Sequence, residues 1–227
     1  MTPSANQIFR VFLLSLLICV APALAQNAQK LPPPAPATDA TWTRAYASNG
    51  KDIKWDARFS PMLKAAFPQH QWFSLDHYKL SSVVHIVPIY IGTDDTPILD
   101  ENRYITVSGC MPHACMTRGM LWIDTEAHPA KLIFVATDWV RNTTTDKGPN
   151  NLFWIFSSST LSWQQLPQPF LDSFHRWQNQ LAKQDNKFHD AWLDQFLFAN
   201  IVQPTGEITP ITPSVLGLEP TTNGAKQ

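Results

Sequence analysis

Tyr104-Ile-Thr-Val-Ser108 and Gly119-Met-Leu-Trp-Ile123 stand on either side of Gly109-Cys-Met-Pro-His-Ala-Cys-Met-Thr-Arg118. Both outer runs are rich in β-branched and large apolar residues, which suit a pleated, half-buried surface. They read as two strands joined through a cysteine-bounded loop. Downstream, Lys131-Leu-Ile-Phe-Val-Ala136 and Leu152-Phe-Trp-Ile-Phe156 have the same character, and upstream so do Val83-Val-His-Ile-Val87 and Ile89-Tyr-Ile91. Short polar gaps containing Gly, Pro or Asn separate these runs. The expectation is an antiparallel meander, because no intervening segment offers the crossover that a parallel pair needs.

Helices are expected before and after the strands. Ser60-Pro61 reads as a cap and a first-turn residue, followed by Met62-Leu-Lys-Ala-Ala-Phe67, with an end before Pro68. From Pro169 the apolar period changes. Phe170, Phe174, Trp177, Leu181, Phe188, Trp192 and Phe196 recur at three, four or seven, placing them on one helical face, with Asp185-Asn186 as a break. Such a stripe reads first as core packing against the sheet. The predicted class is α+β: a central antiparallel sheet, flanking helices and a C-terminal helical segment. The expected boundaries are 41–168 for the α+β domain and 169–202 for the helical segment. Residues 203–227, poor in large apolar side chains, read as a disordered tail.

The chain has 227 residues, 44% hydrophobic and 15% charged, with a formal net charge of −1. That hydrophobic fraction is too high for a disordered chain, and the charge is too small for a polybasic nucleic-acid binder. At the N-terminus, Arg10 precedes the apolar run Val11–Val20, and Ala23-Leu-Ala25 follows. A basic start, a short apolar stretch and small residues at −3 and −1 read as an export signal over residues 1–25. The run is shorter than the roughly 20 residues of a bilayer-crossing helix, so no membrane attachment is expected after cleavage. Cys19 would suit a lipoprotein only if a small residue stood where Ile18 is. Residues 26–40, containing Pro32-Pro-Pro-Ala-Pro36, read as a linker. Loss of Arg10 leaves 16 basic and 18 acidic groups, a mildly acidic chain that suits a basic partner.

Cleavage also reduces the three cysteines to two, Cys110 and Cys115, in an oxidising compartment where only one intramolecular pairing exists. Neighbouring positions at a hairpin base lie about 4.5–5.5 Å apart at Cα, within disulfide range. Closing so small a ring contributes only about 2 kcal/mol, so its effect is expected to be local. Pro112 fixes one more backbone angle inside it. A stiff loop with His113 near its tip would lose little entropy on entering a cleft. An imidazole can donate hydrogen bonds to carboxylates such as the two acids that flank the scissile bond in glycoside hydrolases. From spacing alone, the simpler reading is a stapled turn with a solvated His113.

Cys110-Met-Pro-His-Ala-Cys115 resembles the Cys-Lys-Pro-His-Asp-Cys loop of the inhibitor of vertebrate lysozyme family. Its surroundings are similar as well: a helix near 59–67, Gln71-Trp-Phe73, a strand on each side of the loop, and a further strand from Leu132 to Thr137 leading to Asp138. The likeness spans roughly Trp55 to Leu166, and the hexapeptide is its one sharp motif. The resemblance implies a periplasmic, often dimeric, non-enzymatic protein with no cofactor. Its partner would be a c-type lysozyme or related muramidase, whose active cleft the loop enters. His113 would bond to the catalytic acids, Pro112 would position it, and Cys110 with Cys115 would clamp the loop. Two positions depart from the pattern. Met111 stands for lysine and Ala114 for aspartate, removing polar contacts and bearing on both affinity and choice of target.

The competing class is a periplasmic metal-binding protein. Cys110, Met111, His113, Cys115 and Met116 include soft donors suited to copper(I), although oxidation would remove the thiolates. Thiol oxidoreductase chemistry is disfavoured, because four residues separate the cysteines and no thioredoxin-like pattern precedes them. Asp94-Asp95 and Asp138 read as solvated turn or strand-end carboxylates, His85 as a hydrogen-bonded core residue, and His128-Pro129 as a turn. His70, His77, His175 and His189 have no ligand spacing. Asn142-Thr-Thr144 matches a glycosylation acceptor, a motif common by chance. No phosphate loop or nucleophile elbow is present.

Overall fold

A computed structural model of the chain describes residues 38–49, 51–67, 72–75, 78–94, 96–141, 149–185 and 196–218. The export signal, nearly all of the linker, Asp95, the Asn142 acceptor, Phe188 and Trp192 lie outside them. Four helices are described: α1 (Tyr46–Asn49), α2 (Phe59–Ala66), α3 (Val83–Tyr90) and α4 (Gln168–Asp185). A small hairpin pairs β1 (Trp72–Leu75) with β2 (Tyr78–Ser82). The main sheet comprises β3 (Thr93–Asp94), β4 (Ile98–Asp100), β5 (Tyr104–Met111), β6 (Ala114–Asp124), β7 (Lys131–Arg141), β8 (Pro149–Ser157), β9 (Phe196–Val202) and β10 (Ile208–Ile211). Their order is β10-β9-β8-β7-β6-β5-β3, with β4 also on β5. The class is α+β.

Both faces of this sheet are covered, which explains why its strands read as continuous apolar runs. Ile105, Val107, Leu121, Ile123, Phe134 and Phe156 pack on one side with α2 and α3. Met120, Trp122, Ile133, Val135, Phe153 and Ile155 pack on the other with Phe170, Phe174, Trp177 and Leu181 of α4. The stripe from Phe170 to Leu181 is therefore core, as its spacing predicts. Among the described residues, no helix is long and apolar enough to cross a membrane.

Five sequence expectations are corrected. Val83–Tyr90 forms α3, not strands. Its buried residues are Val83, Ile86, Val87 and Tyr90, a helical spacing concealed by the apolar but less buried Val84 and Ile89. His85 consequently lies on the exposed side, beside Ser82 Oγ at 3.2 Å, and is not a core residue. The helical segment does not run through to residue 202: α4 is described over Gln168–Asp185, and Phe196–Val202 is a strand parallel to β8, reached by a crossover that contains α4. The tail is likewise partly ordered. Ile208–Ile211 pairs with β9, and Leu216 of the 3-10 turn Pro213–Leu216 is fully buried.

Ser60 is not the cap of α2. It occupies the first turn with Pro61, where a missing N–H is tolerated. The entrance is organised by Asp56, whose Oδ1 accepts from the Arg58 backbone N–H at 2.8 Å. Arg58 also donates to both carboxylate oxygens, and Tyr46 Oη donates to Oδ2 at 2.6 Å. These bonds, those from Arg58 foremost, hold the Asp56 carboxyl well below the ordinary range.

Candidate functional site

The longest-range consequence of the sheet is the hairpin β5–β6. Its register runs regularly from Tyr104↔Asp124 to Cys110↔Arg118 and then jumps to Met111↔Ala114. Residues 115–117 therefore lie outside the ladder. Pro112 and His113 form the turn between Met111 and Ala114, and His113 has a φ of 64°. A proline followed by a left-handed residue is the pattern of a type II turn. Histidine is one of the few side chains that tolerate the second position more readily than most.

Cys110 and Cys115 are joined by a disulfide, with Cα atoms 4.8 Å apart. Cys110 is buried at the base, whereas Pro112, His113 and Cys115 are exposed and Met111 and Ala114 are intermediate. All six residues of the predicted loop are thus brought together, with the imidazole at the turn. The geometry combines a covalent ring, a proline and a left-handed residue within six positions. Their shared effect is to restrict the conformations from which His113 can donate or accept.

Supports for the loop come from residues that the sequence did not single out. Pro112 rests on Gly92: a Cβ on that glycine would lie 2.7 Å from Pro112 Cδ and 2.9 Å from the Ile89 carbonyl oxygen. Gly92 is itself pinned, because Lys54 Nζ donates to its carbonyl at 2.6 Å and to that of Ile91 at 3.0 Å. A lysine at these terminal carbonyls also complements the helix dipole of α3. Beyond Gly92, β3 pairs with the base of the loop through Thr93↔Cys110 and Asp94↔Gly109. On the other strand, Gly119 lets α3 approach the sheet, since a Cβ there would meet Tyr90 Cβ at 2.8 Å and Phe134 at 2.9 Å. A glycine following an apolar run was the available signal for Gly92. Nothing local marks Lys54.

Among the described residues, which exclude His70, His77 and His189, the remaining candidates do not gather into a second site. Asp138 lies in β7 opposite Leu152, and Asp94 lies in β3. His128-Pro129 sits in the bend between β6 and β7, as expected of a turn. His175 is engaged with the Leu216 carbonyl oxygen at 2.6 Å. Among the described residues, no three His, Cys, Asp or Glu side chains are grouped to hold a metal ion.

Comparison of the chain with protein-family models, curated proteins and solved structures finds no match.

Proposed function

We propose that this chain is an exported, non-enzymatic inhibitor of a c-type lysozyme or a related muramidase, acting in the periplasm by occluding the catalytic cleft with the loop 110–115. The observation that carries the reading is an exposed His113 held at a left-handed turn inside a disulfide-closed ring. The acids of a glycosidase cleft are separated by roughly 5–9.5 Å, a gap that one imidazole can enter and bridge by hydrogen bonds. Preorganisation of the loop lowers the entropy cost of that insertion. The hexapeptide resemblance points to the same partner class. Met111 and Ala114 in place of lysine and aspartate remove polar contacts and leave the imidazole as the principal polar group of the loop, which bears on both affinity and choice of target.

The test is inhibition of lysis by a panel of muramidases, c-type lysozyme first, with wild type and His113→Ala compared at equal concentration. Slowed lysis by the wild type that is lost in His113→Ala supports the reading. No inhibition of any panel member at micromolar concentration overturns it. The competing copper(I) reading retains only Met111, Met116 and His113 as donors once the sulfurs are joined. Copper retention under oxidising conditions that disappears in Met111→Ala/Met116→Ala would favour it.

A further inference from the structure

We infer that Arg118 is a positioning residue of the loop, a strut that fixes the Cys115 side of the ring to the central sheet independently of the disulfide. This deepens the inhibitor reading and, for its affinity readout alone, rests on it.

The argument begins where β6 leaves its neighbours. Its pairing with β7 ends at Gly119↔Ala136, and its pairing with β5 loses regular register after Cys110↔Arg118. Arg118 is therefore the last residue before a three-residue excursion, 115–117. A main-chain ladder no longer holds it to β7, but the side chain of Thr137 does. The Arg118 backbone N–H donates to Thr137 Oγ1 at 2.9 Å, and that hydroxyl lies 3.3 Å from the Arg118 carbonyl oxygen, to which it donates. Thr137 is itself almost fully buried in β7, so the bracket does not move with the surface.

From this fixed backbone the Arg118 side chain turns back along the strand. Its Nε donates to the Cys115 carbonyl oxygen at 2.6 Å. A charged donor on a main-chain acceptor makes a stronger bond than two neutral groups. The load path runs from β7 through Thr137 and Arg118 to Cys115, while Cys110 is held separately in the ladder between Thr93 and Arg118. On the opposite side Pro112 bears on Gly92. The excursion is braced from both flanks, which is how the exposed Pro112, His113 and Cys115 keep one shape. Arginine suits the role because its long stem and Nε–H reach back three residues while its backbone remains in the bracket.

The experiment compares wild type with Arg118→Ala, Arg118→Lys and Thr137→Val in the oxidised protein. Two readouts need no partner: the rate at which dithiothreitol reduces Cys110–Cys115, and amide hydrogen exchange at residues 113–117. A third is affinity for c-type lysozyme. Arg118→Ala is expected to speed both reduction and exchange about tenfold and to weaken lysozyme binding by a similar factor, with a melting temperature close to wild type. Arg118→Lys, which keeps a donor, restores most of each. Thr137→Val reproduces part of the loosening. Unchanged reduction and exchange in Arg118→Ala overturn the strut, whatever lysozyme does. If the loop loosens as expected but wild type binds no lysozyme, the strut holds and the inhibitor reading falls.

Discussion

The two ends of the β5–β6 hairpin are held by opposite means. At the end remote from the loop, Tyr104 stacks on Trp122 at 5.3 Å and Trp122 meets Phe170 edge-on at 6.1 Å, all within the core beneath α4. Charged groups from three segments close over it. Arg103 donates to both oxygens of Asp124 at 2.8 Å and lies over the Tyr104 ring, Thr125 donates to the Arg103 carbonyl, and Arg44 Nε donates to Thr125 Oγ1 at 2.7 Å. At the loop end no such layer is present among the described residues. Order there comes from a covalent ring, a proline on a glycine and a few hydrogen bonds. An exposed segment cannot obtain its rigidity from burial and needs constraints that leave it uncovered.

That division predicts a clean separation of stability from activity. Trp122→Ala should cost about 3–5 kcal/mol of folding free energy, the usual range for deleting a large buried aromatic. His113→Ala should leave the denaturant midpoint unchanged within error. If the chain inhibits lysozyme as proposed, the order should reverse there, with His113→Ala losing about a hundredfold in affinity. Urea melts and inhibition curves on the same two proteins check this. A destabilised His113→Ala would mean that the loop end is part of the core after all.

Cys110→Ala/Cys115→Ala is the intermediate case. Six residues in the ring limit its entropic contribution to about 2 kcal/mol, while the whole of that constraint falls on the segment that carries His113. Affinity for lysozyme should therefore fall by a larger factor than the folding constant. If both fall equally, the bridge is a staple for the fold and not a clamp for the loop.

The buried end has its own signature in acid. Burial pushes the Asp124 carboxyl up, but the paired bonds from Arg103 together with the backbone N–H groups of Glu126 and Ala127 outweigh it, and the net shift is downward. A carboxyl lowered on folding stabilises above its unfolded value near 3.9, and the contribution is lost as pH falls through the folded value. Asp124→Asn should cost about 1–2 kcal/mol at pH 7, discounted because Arg103 is partly exposed. The gap in melting temperature between wild type and variant should narrow below about pH 4. Asp56, equally lowered in both proteins, does not affect that difference. A gap that stays constant from pH 7 to pH 3 would assign the loss to packing.

How much of this was legible follows from the range of each interaction. The centres of strands β5 to β8 and the apolar face of α4 are local patterns that the sequence carries, although each strand runs further than its apolar run, β6 from Ala114 and β7 to Arg141. So is the hexapeptide, whose cysteines, proline and histidine announce a constrained turn. The helix α3 was hidden because its less buried side holds Val84 and Ile89, so the period of its buried side is blurred by apolar neighbours. The strand β9 was hidden because Phe196 extends the helical spacing of α4, and only a parallel partner 45 positions away, at Asn151, reveals the change. The loop's supports are distant in the same way. Lys54 reaches Gly92 and Thr137 reaches Arg118, contacts between segments distant in sequence that exist only once the chain has folded. The partner class was readable solely through the resemblance of the loop.

The smallest effect tests whether the charges at the buried end act through burial or through number. Asp124 and Glu126 both face Arg103, at 2.8 and 3.8 Å, and Glu126 also faces Arg44 at 3.4 Å. By count Glu126 has more cationic neighbours. Its side chain, however, is 54% exposed against 8% for Asp124. Water and salt screen a pair at that exposure, and ordering two long side chains offsets much of what remains, so such pairs contribute about 0–1 kcal/mol. Glu126→Gln should therefore shift stability by no more than about 0.5 kcal/mol at low ionic strength, and by nothing measurable in 0.5 M sodium chloride. The Asp124→Asn difference should survive that salt largely intact, because its bonds to Arg103 are short, paired and partly buried. Urea melts at the two salt concentrations decide it. Equal salt sensitivity of the two variants would make the Arg103 cluster a surface network, and the contrast between the hairpin's two ends would then rest on Tyr104, Trp122 and Phe170 alone.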